Sequence, residues 1–231
     1  RYAVRSYGES GFLFVVNFQD HLTTKALEGV SVTVKTKKES LTFPSSGTMT
    51  VPASFSAILP LNLDLGKVVL KSATVQPLTV LQKGEAEYVV FSALDGLVPE
   101  LSFPASTSIK SLKGGAFSKA GSLKTVKGSY DAPFSFVANG VTVLVIPQTM
   151  AENAVVFDNQ LFISEALILP DMDQLRLISQ QTINCVHVYP AGKKPLKAQE
   201  NILRAEKPQF YGFNTYTVAF DVQKPDITLT K

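Results

Sequence analysis

The feature that most limits what this chain can fold into is its texture. Short runs of β-branched and aromatic residues, each closed by Gly, Pro, Asn, Asp or Ser, recur from one end to the other. Helical periodicity is nearly absent. Residues 12–18 read as a buried strand, and Val30-Ser31-Val32-Thr33-Val34-Lys35 alternates so that its valines share one face. Further strands are predicted over residues 48–51, 55–61, 68–70, 75–81 and 88–91. The same pattern resumes over 134–137, 141–146, 154–157, 161–163, 186–189 and 215–222. Gln82-Lys83-Gly84-Glu85 reads as a hairpin tip. Asn139-Gly140 suits a type I′ turn, because both residues tolerate positive φ. Only residues 197–206 suggest a helix, and a short one.

A chain of 231 residues, 45% hydrophobic and 10% aromatic, can bury one large sandwich core or the cores of two domains of about 100 to 150 residues. Residues 102–129 break the β texture: Ser, Gly and Lys dominate, with Lys110, Lys113, Lys119, Lys124 and Lys127 and no acidic residue among them. The segment reads as a domain boundary or as a long exposed hairpin. A short echo joins Leu41-Thr42-Phe43-Pro44-Ser45 to Leu101-Ser102-Phe103-Pro104-Ala105, too brief to establish an internal repeat.

The net charge of +3 and pI near 8.8 are weak beside the concentrated charge of a nucleic-acid binder, so no nucleic-acid partner is expected. The lysines of residues 110–127 offer a polyanion a surface, but a solvated loop face is the plainer account of them. Cys185 is the single cysteine, which rules out an intrachain disulfide. No apolar run nears the roughly 18 residues of a membrane-spanning helix. The first ten residues are too polar for a signal peptide. The expectation is therefore an exported chain whose targeting segment has been removed. A membrane would be met only through an N-terminal lipid anchor, itself removed or absent.

Catalytic chemistry is sought and not found. His21 and His187 are the only histidines and carry no catalytic signature. Cys185 and His187, two apart on a predicted strand, face the same side, which permits a shared metal or a thiolate pair. Two ligands do not complete a zinc site, so a buried cysteine beside a structural histidine is expected, and no metal. Asp171 and Asp173 offer hard oxygens on a loop without the remaining ligands of a calcium site. No phosphate-cradling glycine motif is present, so no cofactor is expected. Tyr211 and Phe213, in Gln209-Phe210-Tyr211-Gly212-Phe213, form the densest aromatic cluster. Tyr189 and Tyr211 are the candidates for stacking on a sugar ring, against core packing as the plainer account.

The run Val143-Leu144-Val145-Ile146-Pro147-Gln148-Thr149 resembles the apolar strand ending in Pro-Gln of fimbrillin-like proteins of Bacteroidales, subunits and anchors of type V pili. Phe213-Asn214-Thr215-Tyr216-Thr217-Val218-Ala219-Phe220 and Asp226-Ile227-Thr228-Leu229-Thr230 are similar to the closing pair of strands in that family. The tryptophan found near the end of many members is missing. The resemblance implies two tandem antiparallel β-sandwich domains, Greek-key or transthyretin-like, which would divide here into residues 1–118 and 119–231. It also implies export as a lipoprotein precursor, a place on the outer membrane or in a fimbrium, and a pilus subunit, tip or anchor with no catalytic residues.

Two roles follow as expectations. In the first, the chain is a non-catalytic surface structural or adhesion protein that joins copies of itself or other pilus subunits by β-strand addition. Residues 226–230 would then serve as the assembly strand, with Ile227 and Leu229 filling alternate pockets. In the second, it is a surface accessory protein that binds a host or glycan ligand through Tyr189 or Tyr211.

Overall fold

Strands form wherever β-branched runs are long enough to pair, and Gly or Asn at positive φ turns the chain between them. In the computed structural model, residues 1–172, 174–192, 197–198, 204–206, 212–220 and 226–230 are described. The chain is all-β, built almost wholly of antiparallel sheets. It divides into two compact units, Arg1–Gln148 and Thr149–Lys231.

The first unit opens with β1 (Tyr2–Tyr7), β2 (Ser10–Asn17), β3 (Leu27–Val30), β4 (Val32–Lys35), β5 (Ser40–Phe43) and β6 (Met49–Val51). It continues with β7 (Phe55–Asp64), β8 (Val69–Ala73), β9 (Gln76–Lys83), β10 (Ala86–Ser92) and β11 (Glu100–Pro104). β12 (Ile109–Lys113), β13 (Gly115–Ala120), β14 (Leu123–Gly128), β15 (Phe134–Ala138) and β16 (Val141–Ile146) complete it. A central seven-stranded sheet runs β1-β2-β7-β8-β11-β14-β13, and a five-stranded sheet runs β12-β15-β16-β10-β9. Two ribbons, β3-β6 and β4-β5, stand apart from both. Asn139 and Gly140, both at positive φ, close the β15–β16 hairpin as the sequence predicts.

Register shows how these layers stack, because residues directly opposite in an antiparallel pair share a face. Leu61 lies opposite Ser72, and Ser72 opposite Ser102, so these three share one face of the central sheet. Leu61 belongs to a core with Leu13, Leu59, and the ribbon residues Val34, Phe43 and Val51. Ala73 and Leu101, next along their strands, point the other way. With Phe103 and Val126 they join a second core that includes Phe91, Phe134, Phe136 and Val143 of the five-stranded sheet. The central sheet is thus covered on opposite faces along its width, by ribbons in one part and by a sheet in the other. Gly128 makes the second core close-packed: a Cβ there would lie 2.2 Å from the buried Phe134 ring.

β10 and β16 form the one parallel pairing among the described strands. Val143, Leu144, Val145 and Ile146 are all buried, the continuous apolar run expected of a strand covered on both faces.

The second unit begins with the short helix α1 (Gln148–Glu152), whose first residue closes the first unit. β17 (Ala154–Phe157), β18 (Gln160–Ile163), β19 (Leu167–Asp171), β20 (Gln174–Ile178) and β21 (Ile183–Tyr189) follow. β22 (Lys197–Ala198), β23 (Arg204–Glu206), β24 (Asn214–Ala219) and β25 (Asp226–Thr230) end it. One sheet runs β17-β18-β21-β24-β23 and the other β19-β20-β25-β22. Phe162, Val186, Val188, Tyr216 and Val218 of the first meet Ile168, Leu177, Ile227 and Leu229 of the second in one core.

Two expectations are corrected, and one pair of alternatives is resolved. The division falls at Gln148 and Thr149, not between 118 and 119, which lies inside β13. Of the two readings of residues 102–129, the exposed hairpin is the one formed: β13 and β14 pair at the edge of the central sheet within the first unit, and β14 also pairs with β11 and buries Val126. The helix expected over 197–206 is not formed where the structure describes it, since Lys197–Ala198 and Arg204–Glu206 pair as strands with β25 and β24.

Candidate functional site

The residues singled out in sequence are dispersed. Ile227 and Leu229 are buried in the second unit's core, and β25 lies between β20 and β22 rather than at an edge. Tyr189 is buried, tilted against Phe213 with ring centroids 5.0 Å apart, so it forms no exposed stacking platform. Tyr211 and Asp173 lie outside the described residues, while Asp171 ends β19 opposite Gln174 at a hairpin tip. His21 is exposed, with Nε2 3.3 Å from Asp20 Oδ2, also exposed. Lys110, Lys113 and Lys119 are exposed, whereas Lys124 donates to the Thr107 carbonyl and Lys127 pairs with Glu100.

Cys185 and His187 do share a face of β21, but Cys185 is exposed rather than buried. Alternation explains it: Asn184, Val186 and Val188 take the core side, leaving 183, 185 and 187 on the other. There Cys185 and His187 line a cavity of about 420 Å³, together with Met150, Asn153, Ser164 and Glu165. Burial holds the His187 imidazole below its ordinary pKa, and its Nδ1 lies 3.0 Å from Thr215 Oγ1. A neutral imidazole and an exposed thiol can coordinate a soft ion, yet no cluster of three His, Cys, Asp or Glu suited to a metal occurs among the described residues.

The more telling surface is the rim of the central sheet. All six residues of β1 are exposed, and among the described strands β1 pairs only with β2. Tyr2 lies opposite Val15 and Val4 opposite Leu13, so both stand on the face that packs the ribbon core. The ribbons stop short of them: Tyr2 is 74% and Val4 41% exposed. Gly11 allows the close crossing, since a Cβ there would meet the Arg5 carbonyl at 2.3 Å.

The opposite rim, β13, is also wholly exposed. Its Phe117 lies opposite Val126, and Lys119 shares that core-side face, placing a charge where an incoming strand would bury it. β1 carries no such charge on its core side, only Tyr2, Val4 and Ser6. The alternation Tyr2-Ala3-Val4-Arg5-Ser6-Tyr7 before Gly8 is the signal that marks this strand, obscured by its polar setting.

Compared with known proteins, the chain matches no family model and no curated protein, so the functional reading rests on this geometry.

Proposed function

We propose that the chain is a non-catalytic cell-surface structural or adhesion protein, a pilus subunit, tip or anchor component, that assembles by β-strand addition. Its docking edge is β1. The observation that carries this reading is the uncapped apolar rim: a six-residue edge strand with open backbone groups and two core-facing residues beyond the reach of the ribbons. An added strand would gain main-chain hydrogen bonds from β1 and apolar contact from Tyr2 and Val4. The partner is another copy of this chain or a companion subunit.

The test is a charge at the rim. Val4→Lys leaves the fold intact, because Val4 is already half open to solvent, and it puts an ammonium where the incoming strand must pack. Surface polymers from the producing cell, separated by size and detected with antibody, should shorten or vanish in the variant, with the monomer's thermal midpoint unchanged. Polymers of normal length in Val4→Lys, or a wild-type chain that never leaves the monomer pool, would sink the proposal.

A further inference from the structure

Backbone geometry shows which residues of β1 meet the open rim. Arg1 and Val16 exchange both backbone hydrogen bonds, at 2.7 and 2.8 Å. In an antiparallel ladder such pairs alternate with pairs that exchange none. The register from Tyr2–Val15 to Tyr7–Ser10 therefore turns the backbone groups of Ala3, Arg5 and Tyr7 towards β2. Those of Tyr2, Val4 and Ser6 point outwards. The side chains of these same three residues stand on the face of the ribbon core, where Tyr2 and Val4 are exposed. Free main-chain groups and open apolar side chains thus belong to the same residues, and one incoming strand would meet both.

Charge along the strand selects what fits there. A second copy that meets this edge antiparallel, across a two-fold axis normal to the sheet, keeps its faces aligned with the first only when one residue lies opposite itself. Three such registers engage most of the strand, centred on Ala3, Val4 or Arg5. Centring on Ala3 sets Arg1 opposite the partner's Arg5, and centring on Arg5 sets Arg5 opposite the partner's Arg5. In both, the arginines meet in pairs that exchange no backbone bonds, where Cα atoms approach to about 4.5 Å. Like charges directly opposite destabilise a sheet. Centring on Val4 avoids both clashes: Val4 faces the partner's Val4, Tyr2 the partner's Ser6, Ala3 the partner's Arg5, and Arg1 the partner's Tyr7. Tyr7 is 94% exposed, which leaves its ring open to the Arg1 guanidinium of the other copy.

We propose, on the reading of β1 as the docking edge, that its occupant is β1 of a second copy, paired antiparallel about a two-fold axis at Val4. Tyr2, Val4 and Ser6 of each copy then present their free groups to the other, giving about six main-chain hydrogen bonds, two from each of three pairs. The ribbons of both copies lie on one side of the joined sheet, and Tyr2 and Val4 of the two copies fill the strip between them. Because each copy uses the same edge, the joint makes pairs, and a longer assembly needs a second contact elsewhere on the chain.

Sedimentation of the full chain at concentrations up to millimolar should show a reversible monomer–dimer equilibrium. Val4→Lys sets two ammonium groups together on the axis and should weaken the dimer by more than about tenfold. The register is read by cross-linking in a Cys185→Ser background, which leaves no other thiol. With oxidised glutathione, Val4→Cys alone should form a disulfide-linked dimer. Tyr2→Cys and Ser6→Cys should each fail alone, because each lies about 13 Å along the strand from its own counterpart, yet cross-link when the two variants are mixed. Ser6→Cys cross-linking by itself as fully as Val4→Cys overturns the register, and a Val4→Lys dimer as tight as wild type overturns the joint. If the chain stays monomeric while Val4→Lys still shortens the surface polymers, β1 docks a companion subunit and the two-fold joint is wrong. If it dimerises in this register while Val4→Lys leaves the polymers normal, the joint stands and the polymer role falls.

Discussion

Glu39 shows how much of this molecule is decided by single side chains that join layers. It accepts from Lys71 Nζ at 2.6 Å, and from Asn62 Nδ2 at 3.1 Å, while the same Asn62 amide donates to the Glu9 carbonyl. Burial pushes its carboxyl pKa up, but the hydrogen bonds from Lys71 and Asn62 and the Lys71 charge outweigh that and leave it below the ordinary value. A folded-state pKa below the unfolded one means that the stabilisation is complete above the usual carboxylate range and is lost as pH falls through the depressed value. Lys71→Met should therefore flatten the acid limb of the urea midpoint against pH, relative to wild type. An unchanged acid slope would show that the pair contributes nothing. Nothing in the sequence pairs Glu39 with Lys71, 32 residues apart. Tyr189 makes the same point in reverse: alternation says which side of β21 it occupies, but the ring packed against it there is Phe213, which lies just ahead of β24.

At the scale of the element, β25 is the instructive case. Its alternation of Ile227 and Leu229 with polar residues is legible in sequence and correctly marks a strand with one apolar face. The inference that it is an edge strand does not hold in the described sheet, because a strand's position depends on who supplies its hydrogen-bond partners. Here β20 and β22 flank it, from positions far apart in the chain. Ile227→Ala or Leu229→Ala should cost the second unit about 2–5 kcal/mol, the range for truncating a buried aliphatic side chain. Deleting residues 226–230 should unfold that unit while leaving the first unit's transition in place. A deletion variant whose second unit melts normally would restore the strand to the role of a detachable arm. β1 was missed for the complementary reason: six exposed residues give no buried face for a pattern to report.

Over the whole molecule, the two units hold separate cores, each closed by residues of its own. A chain cut to residues 1–148 should keep a β-type circular dichroism spectrum and unfold cooperatively in urea. One cut to residues 1–118 should not, because it loses β14, β15 and β16, which carry Val126, Phe134, Phe136 and Val143 of one core. A cooperative 1–118 fragment would overturn the division. The sequence by itself determined the class of structure, most strand positions in the apolar stretches, and the Asn139-Gly140 turn. These depend on local backbone preference and on alternation, which a linear reading contains. Only the tertiary structure decided that residues 109–128 belong to the first unit and that the central sheet is covered on opposite faces. It alone left β1 open at the rim and set Glu100 beneath the loop at Ser45. Each of these depends on which distant strand lies across a given face, and a period of two records the face without naming its neighbour.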